Sequence, residues 1–152
     1  MNTIALEMVP PDLDHGVDRA VEEGRKVAGL ARSSGLAGRI RHVMIPGIIQ
    51  EDGDRPVDFR PKMDVIDFWR TIRPELDGMR GLCTQVTAFH DEQQLGERLR
   101  SLREADIDGI AFVGVPRNMS DGEGPGVAPT DALTKFQDVV PHRGSILIPT
   151  RE

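Results

Sequence analysis

One carboxylate stands inside an apolar run near the start of the sequence: Glu7, in Ile4-Ala5-Leu6-Glu7-Met8. A carboxyl group lining the interior of a fold is partly desolvated. Desolvation raises its pKa and suits it to general acid work. Position alone also allows a structural glutamate paired with an inward Arg or Lys, or a strand-end residue in water. Further along, Gln85, Thr87 and His90 offer an amide, a hydroxyl and an imidazole at the end of another apolar run. A long Gly-rich loop from Gly114 to Pro129 carries Arg117, a cation able to meet a phosphate or carboxylate. The same loop reads equally as a solvated connection. It has neither the Walker lysine nor the dinucleotide glycine spacing, so neither phosphate motif applies.

Other reactive residue types have plainer readings. His15, His42, His90 and His142 are scattered, and none has metal-ligand spacing with Cys83, so no metal site is expected. Asp91 and Glu92 are acids suited to the first turn of a helix. Cys83 reads as a small core residue, and Phe68 and Trp69 as the core of a short helix. Asp52, Asp54, Asp121 and Glu123 are loop acids. Arg55, Arg60, Lys62 and Arg117 lie in loops where they could meet an anionic tail or simply be solvated.

These residues must be positioned by a regular series of elements. Ile4 to Met8 reads as a strand stopped by Pro10-Pro11. Asp14 is placed to cap the helix that follows, whose face is Val17, Ala20, Val21, Gly24, Val27, Ala28 and Ala31; Gly35 and Gly38 end it. His42 to Ile45 is a second strand, and a polar loop from Gln50 to Lys62 leads to a short helix from Asp64 to Arg73. Leu82 to Ala88 is a third strand and Glu92 to Ala105 a helix with Leu95, Leu99 and Leu102 on one side. Ile110 to Val113 is a fourth strand. Thr130 is expected to cap a helix with Leu133, Phe136, Val139 and Val140, and Ser145 to Pro149 is a fifth strand.

Strands alternating with helices imply parallel pairing and right-handed crossovers. A doubly wound sheet and a closed barrel both fit. Alternation within the strands favours the barrel: Cys83, Gln85 and Thr87 share one polar face, which a lumen mouth tolerates better than a sheet covered on both sides. The expected fold is a partial (β/α)8 TIM barrel of about five strands and four helices, one domain over residues 1–152. A full barrel takes roughly 250 residues. Thr150-Arg151-Glu152 therefore reads as the opening of another loop in a fragment; the alternative is a doubly wound domain ending at its fifth strand. In either parallel fold the working face lies beyond the carboxyl ends of the strands, which selects Glu7, Gln85, Thr87, His90 and the loop from Gly114.

Composition narrows the classes. The chain has 152 residues, 38% of them hydrophobic, and a net charge of −6, which fits one ordinary domain and argues against a general nucleic-acid binder. No apolar run approaches the roughly 20 residues of a membrane span. Met1 to Leu13 lacks a signal peptide's basic start and long apolar centre. A single cysteine suits a reducing cytoplasm. Composition says nothing of oligomeric state.

Several stretches together resemble a known family. Leu6-Glu7-Met8-Val9-Pro10-Pro11 is similar to the first-strand motif of methylenetetrahydrofolate reductases. Arg39 to Gly47, Leu82 to Phe89, Gly109 to Arg117 and Gly126 to Leu133 resemble its divergent mycobacterial-type branch, and Ile146 to Thr150 falls where the family has its fifth strand. The resemblance runs along the whole chain but covers only about the first half of the family's domain. It implies reduction of 5,10-methylenetetrahydrofolate to 5-methyltetrahydrofolate with NADH or NADPH. Glu7 would be the acid that opens the methylene bridge. Gln85, Thr87 and Gly114 would lie on the cofactor side, with Gln85 and Arg117 toward the folate. The family's Arg-Gly-Asp after strand four is here Val113-Gly114-Val115, its Thr-Tyr-Gly is Ile45-Pro46-Gly47, and its Tyr-Pro is Ile148-Pro149. These changes remove contacts to flavin, so weak or absent FAD binding is expected. So is inactivity of the 152-residue chain by itself, since half a barrel leaves strand edges unpaired. Another barrel enzyme, of lyase or aldolase type, and a non-catalytic half-barrel are the competing readings. A Schiff-base mechanism needs an inward strand lysine, and Lys26, Lys62 and Lys135 all fall outside the expected strands.

Overall fold

The elements alternate as expected. A computed structural model describes residues 3–47, 60–87, 90–114, 126–139 and 146–147. Five strands, β1 (Ile4–Glu7), β2 (Ile40–Ile45), β3 (Arg80–Val86), β4 (Gly109–Val113) and β5 (Ile146–Leu147), alternate with four α-helices. These are α1 (Gly16–Ser33), α2 (Val65–Ile72), α3 (Glu92–Glu104) and α4 (Pro129–Lys135). Two compact units divide the chain, Met1–Gly81 and Leu82–Glu152.

In the first unit β1 runs parallel to β2, with Leu6 opposite Val43 and Glu7 opposite Met44. The buried stripe of α1 is Ala20, Gly24, Ala28 and Ala31, so small side chains bring the helix close to its neighbours. A Cβ on Gly24 would lie 3.3 Å from the Cβ atoms of Ile72 and Glu75, which puts α1 directly against the end of α2. Arg25 clasps Glu75 at 2.9 Å across the same seam. In α2, Val65, Ile66, Phe68, Trp69 and Ile72 are buried, and Asp64 caps the helix by accepting from the Ile66 amide at 2.8 Å. The Trp69 ring lies flat against Gly81, where a Cβ would come within 2.8 Å of it.

In the second unit β3, β4 and β5 run parallel in sequence order. A reciprocal capping box opens α3: Asp91 accepts from the Gln94 amide and Gln94 accepts from the Asp91 amide. Gly96 of α3 admits the Phe136 ring, 3.1 Å from where a Cβ would stand, and Lys135 pairs with Glu92.

Two of these packings decide the topology. The doubly wound order 2-1-3-4-5 sends the first two helices to opposite faces, but α1 and α2 are in contact. The other doubly wound order, 3-2-1-4-5-6, separates strands three and four, but β3 and β4 are paired. The architecture is that of a partial (β/α)8 barrel.

Two caps differ from expectation. A 3-10 turn at Leu13–His15 precedes α1, so His15 rather than Asp14 holds the N-cap position, with Gly16 at φ +69° making the corner. Pro129 takes the first position of α4 and Ala128 the cap, leaving Thr130 inside the helix. No helix among the described residues is long and apolar enough to cross a membrane.

Candidate functional site

Burial differs between the two faces of the β1–β2 pair. On β1 and β2 one face carries the half-buried Leu6 and the buried Val43 and Ile45, while the opposite face carries Ala5, Glu7, His42 and Met44. Glu7 is exposed, so the partial desolvation expected of it is not present in this chain. Glu7 has no hydrogen bond or ion pair among the described residues. His42, in register with Ala5, shares this face and is likewise unpaired among the described residues.

On β3 the expected assignment of faces is reversed. Gly81 meets Trp69, and Gln85 accepts a hydrogen bond from Arg98 Nε of α3 at 3.4 Å while donating to the Val86 carbonyl at 2.8 Å. The face with Cys83, Gln85, Ile110 and Phe112 is therefore the helix-covered one. The opposite face carries the less buried Leu82, Thr84 and Val113 together with the buried Val86 and Ala111. Alternation gave the correct two groups, but the polar group was assigned to the wrong side. Gln85 is a buried amide tying β3 to α3. Thr87, just past β3, is fully buried, and its amide donates to the Val113 carbonyl at 3.2 Å. The Thr87 hydroxyl and His90 Nδ1 are both buried and without a hydrogen-bond partner. Gly114 is buried at the end of β4. Arg117 lies outside the described residues, as do Arg55 and residues 115–125 of the Gly-rich loop.

The loop after β1 is fastened from across the fold. Pro10 and Pro11 are buried. Leu13 donates to the Pro61 carbonyl at 2.8 Å and Met63 to the Pro11 carbonyl at 2.9 Å, forming an antiparallel bridge between Asp12 and Lys62. Lys62 also pairs with the Asp12 carboxylate. Its hydrogen bond holds the Asp12 carboxyl below the ordinary aspartate range; burial opposes this, and the Lys62 charge reinforces it. Lys62 is thus committed to Asp12 rather than free for an anionic tail, and Arg60 lies 3.7 Å from Asp14. A groove of about 460 Å³ runs beside this strap between Val9–Asp12 and the start of α1. Its cations already have carboxylate partners: Lys62 has Asp12, and Arg19 has Glu22 and Glu23. Asp12, Asp14 and His15 bring ligand atoms within 4.8 Å of one another, but Asp12 and Asp14 face Lys62 and Arg60.

The strap and the pairing of His42 with the β1 register escaped sequence reading. Neither leaves a local pattern: Asp12 and Lys62 are fifty positions apart in sequence. His42 shows itself only through its alternation with Val43 and Ile45. No lysine among the described residues lies on a strand, which leaves a Schiff-base mechanism without a nucleophile there.

At the flavin positions, the described ends of β2 and β4 present Pro46, Gly47, Val113 and Gly114. None of these four has a side chain able to donate to a flavin ring or pyrophosphate.

Residues 1–152 match the model of a family described as mycobacterial methylenetetrahydrofolate reductase. Among solved structures, a type I 3-dehydroquinate dehydratase from Clostridium difficile, with covalently modified comenic acid, superposes with a TM-score of 0.51 at 9% identity. The match covers 95% of this chain and 51% of that one, so the chain spans about half the length of that barrel protein. At this identity the likeness speaks for the fold alone. No curated protein matches the sequence.

Proposed function

Since the chain belongs to the mycobacterial methylenetetrahydrofolate reductase family, we propose that it supplies the acid-bearing half of a reductase acting on 5,10-methylenetetrahydrofolate. The observation that carries this reading is Glu7: a carboxyl at the carboxyl end of β1, on the open face, with no partner in the described fold to give it a structural role. In the proposed reaction its O–H breaks as an N10–H bond forms on the folate. The methylene bridge then opens to an N5 iminium. Hydride from NADH or NADPH adds to that carbon, giving 5-methyltetrahydrofolate and the oxidised nicotinamide. The carboxylate left on Glu7 regains its proton from water.

Hydride passes directly between the two substrates in this reading, because Pro46, Gly47, Val113 and Gly114 offer a flavin no side-chain donor. Purified active protein is expected to be colourless above 400 nm, roughly where flavins absorb; stoichiometric flavin whose removal abolishes activity would overturn the direct transfer.

The reductase reading is tested on the chain mixed with a polypeptide carrying the remaining β/α units of a family member. Folate-dependent oxidation of NADH or NADPH is expected in the mixture and not from the chain alone. Glu7→Gln is expected to lower kcat by about 10²- to 10⁴-fold. No activity in any mixture, or full activity with Glu7→Gln, would sink the proposal.

A further inference from the structure

The β1–β2 open face carries two side chains able to ionise, Glu7 and His42, set among Ala5 and Met44. Both lack partners among the described residues. Strand spacing and rise put their Cα atoms about 8 Å apart on one face, close enough for both side chains to touch one small ligand. The other charged groups of these elements are occupied elsewhere. Arg41 belongs to the alternate parity and donates to the Gly38 carbonyl at 3.1 Å, and Asp12 and Lys62 neutralise each other in the strap.

We infer that His42 is a second substrate-contacting residue, an imidazole whose lone pair faces the cationic carbon formed when Glu7 gives up its proton. The inference rests on the reductase reading above. Opening of the methylene bridge turns a neutral ligand into an iminium cation while leaving a carboxylate on Glu7. The side chain two positions along and one strand over then faces a new positive charge. An imidazole lone pair stabilises a cation beside it, whereas a fixed cation at that position repels it. The sequence places a histidine there, not the arginine or lysine that an anionic ligand would call for.

The test separates charge from shape by binding, without turnover. The ligands are tetrahydrofolate, which is neutral at its reacting centre, and 5,10-methenyltetrahydrofolate, which carries a permanent cation there. Each is titrated by fluorescence against the assembled protein carrying wild-type His42, His42→Gln or His42→Lys. His42→Lys is expected to weaken the methenyl ligand relative to tetrahydrofolate by roughly ten- to thirtyfold, since a lysine ammonium drawn toward water about 8 Å from the cation still repels it on that scale in a partly buried site. His42→Gln is expected to keep the ratio within about threefold, the allowance for a neutral hydrogen-bonding replacement. The pteroylglutamate carboxylates attract the new lysine equally in both ligands and cancel in the ratio. Equal weakening of both ligands by His42→Lys, the result of a merely structural role, overturns the inference, and so does no change in either. Failure of the wild-type protein to bind any folate would instead remove the reductase reading and this inference with it.

Discussion

Lys62 and Asp12 show how a single residue pair can organise the mouth of a site without touching substrate. The pair locks the Pro10–Pro11 corner, three residues after Glu7, to the chain entering α2. Because the Asp12 carboxyl is held below its ordinary value, the pair stabilises the fold fully above the unfolded aspartate value of about 3.9. That contribution is lost as pH falls through the lower, folded value. In Lys62→Met the Asp12 carboxyl is expected to titrate higher than in the wild type, read from its ¹³C shift between pH 2 and 6, roughly the carboxylate range. An unchanged midpoint would mean that Lys62 is not what lowers it. Glu7 was legible at this scale because a carboxylate breaks an apolar run. The Asp12–Lys62 strap was not, because its partners meet only after α1 and β2 have folded between them.

Whole elements here depend on a few close approaches. Gly81 begins the part of β3 that lies under Trp69, and a methyl group at that position would come within 2.8 Å of the indole. The ring is 1% exposed and cannot swing outward, so Gly81→Ala is expected to destabilise by about 1–3 kcal/mol in urea unfolding. Replacing Trp69 by Leu makes room, so adding Gly81→Ala to Trp69→Leu should cost much less than adding it to the wild type; additive costs would place the strain elsewhere. At the start of α3 the reciprocal capping box satisfies two orphan amides, and Asp91→Ala is expected to cost about 0.5–2 kcal/mol in the same assay. The helices themselves were readable from apolar spacing. Their starts were less so: a 3-10 turn displaced Asp14 from the cap of α1, and Pro129 displaced Thr130 at α4. In both cases backbone geometry fixed by Gly16 or Pro129 outweighed the preference of a polar side chain for the cap.

At the scale of the whole molecule, the barrel was inferred from strand–helix alternation together with a polar face on β3, and only the first of these holds. Parity divides a strand's residues into two sets but does not say which set the helices cover. Gln85 fell on the covered side because Arg98 of α3 satisfies its amide there. What establishes the fold is the contact of α1 with α2 and the pairing of β3 with β4. This one-sided covering has a measurable consequence within a single strand. Val43 is fully buried against the helix side, whereas its larger neighbour Met44 is only partly buried, on the face of Glu7. In a sheet covered on both faces, truncating methionine should cost at least as much as truncating valine, since it removes more buried surface. In the 152-residue chain the order is expected to invert, with Val43→Ala costing about 2 kcal/mol or more and Met44→Ala less than about 1 kcal/mol in urea unfolding. A greater loss from Met44→Ala would mean that helices cover both faces, and the molecule would then be doubly wound rather than part of a barrel.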